Sequence, residues 1–73
     1  MSKLTITVAG QPGVGKSAIA QALSEFLEES GFVTRLNFIN DEHPPRTQDE
    51  LQNVLDSVRN RIEIDINEMS ALR

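Results

Sequence analysis

Eight consecutive residues, Gly10-Gln11-Pro12-Gly13-Val14-Gly15-Lys16-Ser17, combine glycines, a lysine and a hydroxyl at a spacing suited to holding an anion. Glycine adopts positive φ at little steric cost, so such a run can turn successive N–H groups toward one point. The segment leads straight into a helical pattern, and a helix N-terminus adds unpaired donors and the positive end of its dipole. Lys16 supplies a full positive charge, and Ser17 offers a hydroxyl of the kind that ligates Mg²⁺ beside phosphate oxygens. These residue types in this order point to the binding of phosphate groups.

The run matches G-x-x-x-x-G-K-[ST]. It is preceded by Leu4-Thr5-Ile6-Thr7-Val8-Ala9, a strand-like alternation, and followed by Ala18-Ile19-Ala20-Gln21-Ala22-Leu23. With these flanks, residues 1–40 resemble the P-loop nucleoside triphosphatase and kinase superfamily. The phrase Pro12-Gly13-Val14-Gly15-Lys16-Ser17 is similar to versions found in small-molecule kinases and AAA-type ATPases. The resemblance implies a parallel αβα core and a ligand that is ATP or GTP with Mg²⁺. It implies phosphate contacts along Gly10, Gln11, Pro12, Gly13, Val14, Gly15, Lys16, Ser17 and Ala18, a catalytic, charge-stabilising role for Lys16, and magnesium ligation by Ser17. Full members carry more strands, a Walker B aspartate and a lid or sensor arginine, and this chain is only long enough for about half of such a core.

Candidates for the remaining parts are few. Asp65, in Ile62-Glu63-Ile64-Asp65-Ile66, could serve as the magnesium-side acid, although its parity places it with Glu63 on the polar side of a strand. Asp41 and Glu42 follow a second strand-like segment, where a P-loop kinase places acids near its acceptor; solvated loop carboxylates are the plainer alternative. Arg46 could reach a phosphate or simply cap the loop's rim. His43 precedes Pro44 and has no second metal-ligating partner. Arg59 and Arg61 stand near a helix end, where their charge favours the dipole.

The elements that must position these residues follow from periodicity. Residues 4–8 alternate as a strand does. From Ser17 the period changes, and Ile19, Leu23, Phe26 and Leu27 share one helical face, with Gln21, Glu25 and Glu28 away from it. Gly31 is placed to end this helix near Ser30 in a left-handed cap. Residues 33–39 read as a second strand, and 40–45 as a loop broken by Pro44 and Pro45. Thr47-Gln48-Asp49-Glu50 forms a capping box, opening a helix whose buried stripe is Leu51, Val54, Leu55 and Val58. Residues 62–66 alternate as a third strand, yet Ile62, Ile66, Met69 and Leu72 would equally continue the helical stripe.

The fold expected is therefore α/β, a small P-loop-type parallel sheet of about three strands with two helices. The alternative is β-α-β followed by one long C-terminal helix. Since every strand offers one polar parity, the helices would cover mainly one face, leaving Thr5, Thr7, Arg35, Asn37, Glu63 and Asp65 on the other. One domain spanning residues 1–73 is all that the length supports.

Composition narrows the function further. The net charge of −4 argues against general nucleic-acid binding. With no cysteine, disulfides are excluded, and no apolar run approaches the roughly 20 residues of a membrane helix. The start, Met1-Ser2-Lys3-Leu4, lacks a signal-peptide core, so a cytoplasmic protein is expected. Three functions remain open: a minimal P-loop NTPase or phosphotransferase, a nucleotide-binding module with little turnover, or an interaction protein whose loop is vestigial or binds a simple anion. The small apolar count and unprotected strand edges also point to a homo-oligomer or a protein partner.

Overall fold

The computed structural model describes residues 2–38 and 45–69. Helix α1 spans Lys16–Glu29 and helix α2 spans Gln48–Val58. Their ends are set by local chemistry. At the C-terminus of α1, Gly31 has φ 101; its N–H bonds Glu28 O at 3.0 Å and the Phe32 N–H bonds Leu27 O at 3.0 Å. That pair of bonds is a Schellman motif, which satisfies carbonyls the helix leaves open. At the start of α2 the Thr47 hydroxyl accepts from the Glu50 N–H, and the Glu50 carboxylate accepts from the Thr47 N–H at 3.0 Å. The expected capping box is thus present, and the cap at Gly31 is where the sequence places it.

The two helices run antiparallel, with Gly15 against Val58 at one end and Glu25 against Gln48 at the other. The face by which α1 meets α2 is not its apolar stripe. Its buried residues are Ser17, Ala18 and Gln21, facing Leu51 and Val58 of α2 as the other buried side chains. Ala18 is small enough to let the helices approach, and Gln21, though polar, is 3% exposed, with both amide hydrogens and its oxygen bonded. Gln21 Nε2 donates to Arg46 O at 2.8 Å and to Glu25 Oε2 at 3.0 Å, while Gln21 Oε1 accepts from the Arg46 N–H at 3.0 Å. The amide thereby brackets one peptide residue as a neighbouring strand would, and it ties the approach to α2 onto α1.

Among the described residues there is no strand. The expected parallel sheet, and the α/β fold class with it, are therefore corrected to a two-helix unit with open flanking segments. The long-helix alternative fails as well, because α2 stops at Val58: the Arg61 and Ile62 N–H groups both turn back to Val58 O. Residues 2–10, 32–38 and 62–69 run without helix, turn or bend. The backbones of 3–9, 33–37 and 63–69 make no hydrogen bond to one another. Strands joined through helices commonly pair in parallel, and parallel sheets are found covered on both faces. Here the strand-like segments carry a polar parity, and the two helices spend part of their surface on each other. Cover for a second sheet face is missing, and the segments stay apart.

The consequence is an open chain. Its radius of gyration is 13.3 Å, near the value expected for a compact domain of about 100 residues. Leu4 and Ile66 are 86% and 89% exposed, and Phe26, on the apolar face of α1, is 65% exposed.

Two outcomes test this account. Gln21→Ala leaves the Arg46 peptide groups without their partner and should destabilise the helix pair by about 2 kcal/mol or more, read from urea denaturation followed by circular dichroism. Thr47→Ala should cost about 1 kcal/mol through loss of the cap, with α2 fraying first in amide exchange.

Candidate functional site

The glycine loop keeps the local geometry its sequence predicts. Gly13 and Gly15 have φ 84 and 85, and Gly15 is the N-cap of α1, with no side chain capping the helix. A Cβ on Gly15 would meet both Val58 methyls at 3.4 Å. The positive φ, not lack of space, is thus what demands glycine there.

The loop's two chemical side chains are engaged with the protein itself. Lys16 Nζ donates to Gly10 O at 3.0 Å and to Gln11 O at 2.9 Å, folding its ammonium back over the loop's own carbonyls. The Ser17 hydroxyl oxygen, buried at the start of α1, accepts from Arg46 Nη1 at 3.0 Å. Arg46 therefore approaches α1 twice, by its backbone at Gln21 and by its guanidinium one turn earlier at Ser17. Arg46 thereby ties the segment before α2 to the first two turns of α1.

Asp65 is exposed and lines a groove that also includes Gly10, Gln11, Val14 and Lys16. Asp41 lies outside the described residues, as do Glu42 and His43. Pro12 and Gln11 are exposed on the loop, and Ala18 is fully buried in the helix contact rather than at the loop surface. The expectation of a P-loop protein binding ATP or GTP with Mg²⁺, as an NTPase, kinase-like enzyme or reduced binding module, is overturned on two findings. Among the described residues no sheet frames the loop, and no group of three or more His, Cys, Asp or Glu side chains could hold a metal ion. A loop of this kind needs a strand fixing its entry as firmly as the helix fixes its exit. Only the helix is there.

A feature that sequence reading missed is the polar seam on α1. Gln21 and Glu25 lie off the apolar face, as the periodicity places them, yet Gln21 is buried and Glu25 accepts from both Gln48 Nε2, at 2.9 Å, and Gln21 Nε2. These bonds, Gln48 first and Gln21 second, hold the Glu25 carboxyl below its ordinary pKa against a smaller opposing effect of desolvation. Further along, Thr34 Oγ1 donates to Glu28 Oε2 at 3.0 Å and lies 2.6 Å from Ser24 Oγ, which leaves Ser24 as the donor in that contact. These hydroxyls tether residues 32–38 to α1. The spacing Ser24, Glu28 and Thr34 carries no advance sign of it, because the bonds depend on the turn at Gly31.

Residues 4–9 are flanked on both sides by open space. One groove, of about 2080 Å³, lies between them and residues 32–38, with Ala20, Leu23 and Leu27 of α1 as its floor. A second, of about 1130 Å³, separates them from residues 62–69 over Ile19, Ala22 and Leu23. The apolar stripe of α1 that the sequence assigns to a sheet thus faces these grooves. No helix among the described residues is long and apolar enough to cross a membrane. No family model, curated protein or solved structure matches the chain.

The Glu25 bonds set a sign for pH dependence. A carboxyl whose folded pKa is depressed contributes stability that is present above its unfolded pKa and lost as pH falls through the folded value. Gln48→Ala should raise the Glu25 pKa toward the ordinary carboxylate value and weaken the acid sensitivity of the helix pair, as followed by carboxyl NMR titration.

Proposed function

We infer that this chain is an interaction module that accepts a second polypeptide, in extended form, into the groove between residues 4–9 and 32–38. The observation that supports this reading is the unpaired backbone of residues 3–9, running without turn or bend beside open space on either side. Unpaired strand-like backbone is a template for another chain. In recognition by strand addition, main-chain hydrogen bonds supply affinity and alternate side chains supply selectivity. The groove has both features. Its walls offer peptide groups, and its floor includes Leu23 and Leu27 of the apolar stripe of α1.

The exposed area has the right scale. A compact monomer of this mass exposes roughly 4,500 Å², whereas the chain exposes 6792 Å². A partner of ordinary size buries about 800 Å² on each side, well within the difference. Phe32 and Val33, 63% and 101% exposed, stand where an added strand would place apolar neighbours beside them.

Amide hydrogen exchange on the dilute chain tests the reading. Residues 4–9 and 33–37 should exchange near the rate of an unstructured peptide while the interiors of α1 and α2 are slowed. Strong protection of 4–9 in the dilute monomer would mean these segments already pair within the chain, and the reading would fall.

A further inference from the structure

We propose that the polypeptide accepted by the groove is residues 62–68 of a second copy of this chain, exchanged reciprocally to form a two-fold dimer. The proposal rests on the strand-accepting reading and supplies its occupant. Residues 2–10 and 32–38, the groove's walls, carry Lys3 and Arg35 and no carboxylate. Residues 62–68 carry Glu63, Asp65 and Glu68 and no cation. Although the whole chain is acidic, these two surfaces are of opposite sign, and complementary charge both steers an encounter and fixes its register.

Shape agrees with charge. In an extended strand Ile62, Ile64 and Ile66 project to one side and Glu63 and Asp65 to the other. Laid in the groove, the isoleucines meet the floor formed by Ala20, Leu23 and Leu27, and the acids reach the side where Lys3 and Arg35 stand. Ile64 is 54% exposed and Ile66 nearly fully so, so both gain from such a docking. The chain's own copy of the segment lies on the other side of residues 4–9, along the second groove, so the first groove stands open to a second copy. Reciprocal exchange uses the same surfaces on both copies, which closes the assembly at two.

Sedimentation equilibrium of the full chain from one to a hundred micromolar, with the charge-reversal variant Asp65→Lys and the double variant Asp65→Lys/Arg35→Asp, is the test. The expected result is a dimer whose dissociation constant rises roughly tenfold or more in Asp65→Lys and returns toward the original in the double variant. Circular dichroism of the helices controls for folding, since both positions are exposed. A dimer indifferent to Asp65→Lys, or one not restored by Arg35→Asp, overturns the proposed contact. A monomer throughout, with residues 4–9 still exchanging freely, overturns the second copy as occupant and leaves the strand-accepting reading in place. Protection of residues 4–9 in the monomer removes both.

Discussion

The rest of the structure depends on one side-chain amide. Gln21 grips the N–H and C=O of Arg46 and donates to Glu25 as well, so three of its hydrogen-bonding positions are filled in a buried setting. A buried amide left unpaired is costly, so the helix pair forms with this bracket closed or it does not form in this geometry. Once closed, the bracket brings Arg46 to Ser17 and aligns Gln48 with Glu25. A polar seam, not an oily one, determines how the two helices meet.

That choice has a cost elsewhere in the chain. With Ser17, Ala18 and Gln21 turned toward α2, the apolar stripe of Ile19, Leu23, Phe26 and Leu27 is directed away from it. Buried apolar side chains in the described structure amount to Ala18, Leu51 and Val58. A fully buried leucine or valine contributes about 1.5–3 kcal/mol, which is little against the entropy of ordering a chain. The stripe, the grooves above it and the strand-like segments beside it form one continuous unsatisfied region. Association is the physical means of covering it, and both the proposed function and its self-complementary form follow from that region.

The glycine loop illustrates how a short motif and its context come apart. Its local rules hold: positive φ at Gly13 and Gly15 and a helix opening at Lys16. Its chemical side chains, however, are spoken for by the protein, Lys16 by the loop carbonyls and Ser17 by Arg46. A pattern of eight residues specifies a turn into a helix. It does not specify the sheet on the other side of that turn, and a phosphate-binding frame needs both.

What the sequence determined by itself is the set of features made by near neighbours. The extent of α1, its stop at Gly31 and the capping box at Thr47 and Glu50 rest on contacts a few residues apart; of the expected buried stripe on α2, Leu51 and Val58 are buried and Val54 and Leu55 only half-buried. Tertiary structure alone decided the burial of Gln21, the partners of Lys16, Ser17 and Arg46, and the absence of pairing between residues 4–9, 33–37 and 63–69. The alternation in those segments was legible, but alternation states only that a strand is locally acceptable. Pairing requires a neighbour at hydrogen-bonding distance and cover for both faces, and the helices, drawn together by the Gln21–Arg46 bracket across 25 residues of sequence, do not provide it.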